Sequence, residues 1–312
     1  MKNTKQTTST LLMIRPKHFG FNPETAENNT FQSKELTDSP DEMQSKALKE
    51  FDHMVDQLRN AKIHVLVIED SDEPNKPDAI FPNNWITTHE DGSLITYPMF
   101  SKIRRNERRE EVINHLETDF LFSNRYAFEH YEDEHQFLEG TGSMVLDRVN
   151  RIVYACLSPR TSIELLDKFA VLKGYEVVRF KAQSAGVDIY HTNVMMAMGH
   201  DFVVICMDAI GDEEDKEVVL SMFKKTGKEV VEITIEQMNS FAGNMLEVES
   251  LEGEPYMVMS EQAFNALTDH QISKISNHAQ ILAVPIDTIE KYGGGSARCM
   301  ITEIFPPGNK FL

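Results

Sequence analysis

The sequence is poor in cysteine and in basic residues. Its three cysteines, Cys156, Cys206 and Cys299, are odd in number and far apart, which argues against a disulfide framework and against zinc-ligand spacing. Only 31 lysines and arginines stand against 50 acidic residues, which gives a formal net charge of −19. This excess of negative charge argues against a nucleic-acid partner and against an anionic membrane, since both require basic patches.

Long apolar runs are missing as well. Residues 11–14 form an apolar stretch that is too short for a signal-peptide core, and Arg15 and Pro16 follow it. No stretch approaches the length of a transmembrane helix. We therefore expect a cytoplasmic protein, whose 312 residues suffice for a large core.

One structural unit recurs along the chain: two short apolar strands joined by a polar turn, then a helix and a third strand. The clearest copy has strands at residues 143–146, 152–156 and 175–180, with the apolar spacing of a helix over residues 161–172. The first strands of three further copies lie at residues 85–88, 194–198 and 245–248. This regular recurrence is typical of repeat architectures.

A fifth copy is divided between the two ends of the chain. Its first strand is expected at residues 300–305, its second at 10–15, its helix at 43–60 and its third strand at 63–68. Pairing strands from opposite ends closes a ring without leaving open sheet edges. We therefore predict an α/β fold, a five-bladed propeller of ββαβ units that forms a single domain over residues 1–312.

Unusual polar residues precede the first strand of each unit. They are Asp78 and Asn84, Glu139, His191 with Asn193, Asn244, and Cys299 behind the glycines at 293–295. Equivalent positions in a ring converge at one end of its axis, so we expect Cys299, His191 and Glu139 to share a pocket. Consecutive glycines let the backbone approach a ligand closely, and a thiol directly behind them is placed like a nucleophile.

Each of these residues has a plainer interpretation when it is taken alone. Free cysteine is most often core, and a lone histidine such as His191 is more often a surface or satisfied residue. Glu139 fits a solvated or turn-capping carboxylate, and Asn84 and Asn193 are common turn residues. Their equivalent positions in the repeat favour the catalytic interpretation of Cys299, His191 and Glu139.

With these motifs the sequence resembles the guanidine-modifying pentein superfamily, which includes arginine deiminases, dimethylarginine hydrolases and amidinotransferases. The matching segments follow one another along nearly the whole chain, at residues 78–84, 138–140, 157–161, 191–193 and 293–299. The opening segment 15–32 and the segment 77–85 look most like the branch of citrulline-utilisation hydrolases. The resemblance implies a five-bladed α/β propeller that needs no cofactor and no metal.

The resemblance also implies a role for each matching residue. Cys299 is the expected nucleophile toward the central carbon of a guanidino or ureido group, and His191 the proton donor that later activates water. Glu139 is expected to orient His191. Arg160 matches the arginine that holds the substrate carboxylate, and Asp78 is a candidate for the substrate amino group.

Asn84 and Asn193 stand where guanidinium-binding members carry aspartates. A carboxylate only accepts hydrogen bonds and favours a cation, whereas an amide can donate one to a ureido oxygen. The two asparagines therefore favour L-citrulline, hydrolysed to ornithine, carbon dioxide and ammonia. Arginine deiminase, methylarginine hydrolase and amidinotransferase share the same triad and stay open, as does a non-catalytic pentein-fold binding protein.

One long polar segment, residues 17–40, does not belong to any strand or helix of the repeat. Loops of this length inside compact domains are often lids, so we expect this segment to close over the substrate. The expected partner is a small amino-acid substrate. The sequence leaves the oligomeric state open, with a homodimer among the options.

Overall fold

The computed structural model describes residues 4–26, 29, 31–33, 35 and 37–308. Within these ranges the strands form five three-stranded sheets and one two-stranded ribbon, and no sheet closes on itself. The sheets, in order of their first strands, are Ile86–Thr88, Ser93–Thr96 and Asn124–Ala127; Val145–Asp147, Ile152–Cys156 and Glu176–Phe180; Met196–Met198, Phe202–Ile205 and Glu229–Glu232; Leu246–Glu249, Pro255–Ser260 and Gln280–Val284; Thr302–Glu303, Thr10–Arg15 and His64–Glu69. The ribbon pairs Gln183–Ser184 with Val187–Asp188.

All five sheets share one connectivity. The first strand pairs antiparallel with the second, and the second pairs parallel with the third. Parallel neighbours need a crossover, and helices supply it in every sheet. The α-helices are Pro40–Asn60, Glu110–Asp119, Gly140–Ser143, Ile163–Lys173, Glu213–Thr226, Ile235–Asn239, Glu261–Ala266, Asp269–Ser276 and Asp287–Gly293. No helix among the described residues is long and apolar enough to span a membrane.

The fifth sheet joins the two ends of the described chain, as the sequence predicted. Leu11 lies opposite Glu303 in an antiparallel pair and opposite Val65 in a parallel pair. Leu11 and Leu12 point to opposite faces of this central strand, and both are fully buried. The strand is therefore covered on both sides, as a strand at the centre of a layered fold must be.

The long helix Pro40–Asn60 begins at a capping box, in which Ser39 and Glu42 each bond the other's backbone N–H. Its buried residues recur at helical spacing: Met43, Ala47, Phe51, Met54, Val55 and Leu58. Glu50, on the same helix, accepts hydrogen bonds from the backbone N–H groups of Thr288 and Ile289, at 2.9 and 3.0 Å. The first turn of the helix Asp287–Gly293 is thereby fixed, and that helix leads into the glycine-rich loop.

The first strands are shorter than the sequence predicted. Ser143 lies in a helical turn instead of a strand, as does Val194, and Met300 lies in a turn. The closing strand is only Thr302–Glu303. In each case the chain makes a tight hydrogen-bonded turn before it enters the sheet, and these turns carry the candidate site.

Candidate active site

A buried turn precedes the first strand of each three-stranded sheet in the described structure. The five turns are Pro82–Asn84, Gly140–Ser143, Thr192–Val194, and residues 241–244 and 297–300. Each is closed by a backbone hydrogen bond, such as the one from Asn244 N–H to the Phe241 carbonyl at 2.8 Å. Six of the residues singled out in the sequence lie in these turns or directly beside them, namely Asn84, Glu139, His191, Asn193, Asn244 and Cys299; Asp78 and Arg160 lie elsewhere in the chain.

Neighbouring turns are joined to one another by side-chain hydrogen bonds. The Thr141 hydroxyl donates to the Asn83 carbonyl at 3.2 Å, which links the first turn to the second. The Thr192 hydroxyl donates to the Ser143 carbonyl at 2.6 Å and links the second turn to the third. These contacts bring residues from distant parts of the sequence to one place.

The contacts continue through the remaining turns and return to the first sheet. Asn244 donates from Nδ2 to the Asn193 carbonyl at 2.9 Å, and the same nitrogen lies 3.3 Å from Cys299 Sγ. The Thr88 hydroxyl of the first sheet donates to the Glu303 carbonyl of the fifth at 2.9 Å. Four links therefore join the five turns in order, and a fifth link between the first strands of the first and fifth sheets closes the circuit.

Two side-chain amides face the sulfur of Cys299. Besides Asn244 Nδ2 at 3.3 Å, the Nδ2 of Asn193 lies 3.5 Å from Sγ. Cys299 is nearly buried, so these donors act on the sulfur with little competition from water. Amide N–H groups aimed at a sulfur stabilise negative charge on it, which is what a thiolate nucleophile requires.

His191 and Glu139 form a buried hydrogen-bonded pair. The His191 Nε2 lies 2.7 Å from Glu139 Oε2, and the Phe100 N–H donates to Oε1 at 2.9 Å. Burial alone would raise the pKa of Glu139, but Arg160 and His191 outweigh it and hold that pKa below its usual range. An ionised Glu139 accepts a hydrogen bond from the Nε2–H group, which leaves Nδ1 as the basic nitrogen of His191.

The ring of His191 is packed tightly against Gly142. A Cβ on Gly142 would lie 2.8 Å from both Nδ1 and Cε1 of His191, so only glycine leaves room for the imidazole there. Burial lowers the pKa of His191 to about 4, although the hydrogen bond to Glu139 opposes this shift. The imidazole is therefore neutral near pH 7 and able to accept a proton.

Arg160 lies against the same carboxylate. Its Nη1 is 3.5 Å from Glu139 Oε2, and its guanidinium stands 4.7 Å from the centre of the Tyr190 ring. The Tyr190 hydroxyl donates to the Gly294 carbonyl at 3.1 Å. Arg160 and Tyr190 thus connect Glu139, the partner of His191, with the glycine-rich loop.

Arg104 is part of the site and was missed from the sequence. It donates from Nη1 to Asn84 Oδ1 at 2.8 Å, and its Nε and Nη2 bond Glu107 at 2.8 and 2.9 Å. A guanidinium only donates, so Asn84 must turn Oδ1 toward Arg104 and Nδ2 away from it. Asn84 Nδ2 has no hydrogen-bond partner among the described residues.

The described parts of segment 17–40 lie over the site. Asn22 donates to Asp78 Oδ2 at 2.7 Å, Asn29 to the Gly294 carbonyl at 3.2 Å and Gln32 to the Tyr292 carbonyl at 2.8 Å. Residues 27, 28, 30, 34 and 36 of the expected lid lie outside the described residues. Through these amide contacts the described parts of the segment pack against the glycine-rich loop.

A small cavity remains beneath this cover. It is lined by Thr25, Asn29, Asp78, Phe81, Asn84, Arg104, Arg160, Tyr190, His191, the glycines 293–295 and Cys299. Its volume of about 20 Å³ is roughly enough for a single water molecule. The cavity in this structure is therefore smaller than a free amino acid.

The three thiols are expected to differ in their reaction with iodoacetamide. Burial raises the pKa of Cys156 to about 12 and that of Cys206 to about 11, so both stay protonated near pH 7. Cys299, with two amide donors on its sulfur, is expected to be alkylated first, by about tenfold or more. Mass spectrometry of a labelling time course measures this order, and equal rates at all three thiols would contradict it.

Most of the chain matches the model of a known protein family. A family model described as N,N dimethylarginine dimethylhydrolase, eukaryotic, matches residues 15–306. The chain belongs to this family. The match confirms the pentein superfamily, with its arginine deiminase-like and dimethylarginine hydrolase-like members, that the sequence motifs predicted.

Solved structures share the fold at low sequence identity. Unliganded AgrE superposes with a TM-score of 0.74 at 17% identity, covering 97% of this chain and 40% of AgrE. The N-terminal domain of ArgZ, an arginine dihydrolase from the ornithine–ammonia cycle in cyanobacteria, was solved as a cysteine-to-serine mutant bound to substrate. Its TM-score is 0.70 at 16% identity, covering 95% and 99% of the two chains.

A third structure is a dimethylarginine dimethylaminohydrolase, a histidine-to-glycine variant in an adduct with S-methyl-L-thiocitrulline. It has a TM-score of 0.64 at 15% identity, with 96% of this chain and 100% of that chain covered. The chain spans about two fifths of full-length ArgZ and AgrE, 41% and 40%. A search of curated proteins by sequence finds no significant match.

Proposed function

We propose that this protein is a cysteine-dependent hydrolase that converts L-citrulline and water to ornithine, carbon dioxide and ammonia. The orientation of Asn84 carries the proposal, because Arg104 holds its Oδ1 and leaves Nδ2 to donate. Asn84 lines the same cavity as Cys299. A donor at this place suits a ureido oxygen, whereas a guanidinium carries only donors of its own and would favour an acceptor.

The first half of the reaction forms a covalent thio-intermediate. Neutral His191 accepts the thiol proton of Cys299, and the sulfur attacks the ureido carbon. Negative charge moves onto the ureido oxygen, where the N–H of Asn84 stabilises it. The tetrahedral adduct collapses as the protonated His191 gives its proton to the departing nitrogen.

The second half of the reaction hydrolyses the thio-intermediate and frees Cys299. His191, neutral again, takes a proton from water, and the resulting hydroxide attacks the carbon of the thio-intermediate. Cys299 leaves as a thiolate, which the amides of Asn193 and Asn244 stabilise, and it takes its proton back from His191. The carbamic acid that is released loses carbon dioxide as its remaining carbon–nitrogen bond breaks and its acid proton passes to that nitrogen, so that ornithine and ammonia are both formed. Glu139 accepts the hydrogen bond from Nε2–H throughout, so that Nδ1 carries the proton in both halves of the reaction.

Two charged residues are proposed to hold the other end of the substrate. Asp78 Oδ1 has no hydrogen-bond partner among the described residues, and a buried carboxylate oxygen suits an α-ammonium group. Arg160 presents a guanidinium to the cavity, and its fork fits an α-carboxylate. Together they would select an amino acid over a free urea.

The proposal includes a five-bladed propeller arrangement of the sheets in a single domain. The closed circuit of contacts through the five turns and the first strands of the first and fifth sheets supports it, since each sheet contributes one turn to the circuit. The antiparallel pairing of Leu11 with Glu303 supports closure between the two ends.

A methylated arginine is the second candidate substrate. The description of the matching family favours it, and the same Cys299, His191 and Glu139 would act on it. The two asparagines argue against it, because the guanidinium cation gains no charge partner from an amide.

The test assays L-citrulline, L-arginine and N,N-dimethylarginine separately with the same enzyme preparation. It measures ornithine and ammonia from citrulline, citrulline and ammonia from arginine, and citrulline and dimethylamine from dimethylarginine. Turnover of citrulline with a kcat/KM at least about tenfold above the other two would support the proposal. A preference for either guanidino compound would keep the triad and overturn the substrate. Inactivity on all three, with a Cys299 no more reactive than the other thiols, would favour a binding protein.

A further inference from the structure

Glu290 is a buried carboxylate that the proposed reaction does not use. It lies on the helix Asp287–Gly293 and is only 2% exposed. No ion pair to a basic residue involves it within the described ranges, and burial raises its pKa to about 7. Burying a carboxylate without a cation destabilises a fold, so its placement calls for a local role.

The carboxylate holds the loop that carries Cys299. Glu290 Oε1 accepts a hydrogen bond from the Ser296 hydroxyl at 2.5 Å. The Ser296 carbonyl in turn accepts one from the Cys299 N–H at 2.9 Å. A short chain of contacts therefore runs from Glu290 through Ser296 to the backbone of Cys299.

The backbone of Glu290 holds the same loop from its other end. Its carbonyl accepts a hydrogen bond from Gly294 N–H at 2.9 Å, where the helix ends with Gly294 in the left-handed region at φ 64°. The loop is thus tied to Glu290 at both Gly294 and Ser296. Its backbone has little freedom left before it reaches Cys299.

We propose that Glu290 is a positioning residue, which acts through Ser296 to hold the sulfur of Cys299 between the amides of Asn193 and Asn244. This inference rests on the proposed role of Cys299 as the nucleophile. Those amides reach the sulfur at 3.5 and 3.3 Å, ordinary distances for an N–H group that donates to the large sulfur atom. A shift of the loop by 1 Å or so would break them, and misplacements of that size can cost about a hundredfold in rate.

The test compares five variants of the whole protein: Glu290→Ala, Ser296→Ala, the double variant with both changes, Glu290→Gln and Glu50→Ala. Glu50→Ala is the matched control, because Glu50 holds the first turn of the same helix and makes no hydrogen bond to Ser296. Each variant is measured for the alkylation rate of Cys299 by iodoacetamide, for kcat and KM on L-citrulline, and for its unfolding midpoint in urea.

We expect Glu290→Ala and Ser296→Ala to slow alkylation of Cys299 about tenfold and to lower kcat about a hundredfold, with little change in KM. The double variant is expected to lose no more than either single variant, since both break one chain of contacts. Glu290→Gln keeps an oxygen acceptor for Ser296 and should stay within about threefold of the native protein. Glu50→Ala should lower the unfolding midpoint and leave the alkylation rate unchanged.

Native alkylation rates in both alanine variants would overturn the proposal, as would an equal loss in Glu50→Ala. Additive losses in the double variant would show that Glu290 and Ser296 act separately, and would also overturn it. Alkylation needs no substrate, so it tests Glu290 even if L-citrulline is not turned over. Failure of the substrate assay alone therefore refutes the proposed function and not the positioning role.

Discussion

Replacement of Cys299 by alanine is expected to abolish the release of ornithine and ammonia from L-citrulline. The reaction proposed above passes through a covalent bond to this sulfur, and no other described thiol lines the cavity. Loss of a catalytic nucleophile costs about 10⁴-fold or more in kcat. A coupled assay for both products, run with native protein and variant in parallel, measures the loss.

The matched control for this experiment is Cys206→Ala. Cys206 is fully buried next to the strand Phe202–Ile205, away from the cavity lining, so its loss should leave kcat within about threefold. If Cys299→Ala retained more than a tenth of the native rate, the covalent mechanism would be wrong. Equal losses in both variants would point to a folding defect instead.

Joint replacement of Asn84 and Asn193 by aspartate is expected to reverse the preference between ureido and guanidino substrates. The change removes the N–H of Asn84 from the ureido oxygen, and the loss of one such donor costs about 10²–10³-fold in kcat. It adds carboxylates that favour a cation. The change at residue 193 also removes an amide donor from the Cys299 sulfur, so turnover of both substrates should fall while their ratio reverses. The measurement is kcat/KM for L-citrulline and for L-arginine in native and double-variant protein.

Asn84→Ala separates the two effects in this experiment. It removes the donor and adds no charge, so it should lower citrulline turnover without improving the use of arginine. Arg104 would then lose its bond to Asn84 and keep the two to Glu107. A double aspartate variant that still prefers citrulline would refute our explanation of specificity, even with the enzyme assignment intact.

Periodicity in the sequence identified the repeating unit and the pairing of the two ends. Both depend on apolar strands of regular length, which recur visibly along the chain. The turns before the first strands were not recognised. Three residues such as Pro82–Asn84 are too few to show a period, and the apolar residues behind them extend the strand pattern.

Equivalence within the repeat predicted that Glu139, His191 and Cys299 lie together. His191 and Cys299 line one cavity, and Glu139 contacts His191 at 2.7 Å without lining that cavity itself. The equivalence could not find Arg104 or Glu107, because a run of charges at 102–111 has the pattern of a solvated surface. Glu290 was missed for the same reason, because it lies among other charged residues of a short helix. Only the fold shows that these three charged side chains are buried.

The pairing of Leu11 with Glu303 also has a consequence for the order of events in folding. Contacts between residues so distant in sequence form late in folding, because closing a long loop loses chain entropy before the contact is gained. Cys299 stands three residues before the closing strand Thr302–Glu303, so we expect docking of that strand to complete the turn that Glu290 and Ser296 hold from its other side. During refolding, helix content should return before iodoacetamide-sensitive reactivity at Cys299, with catalytic activity the last property to recover.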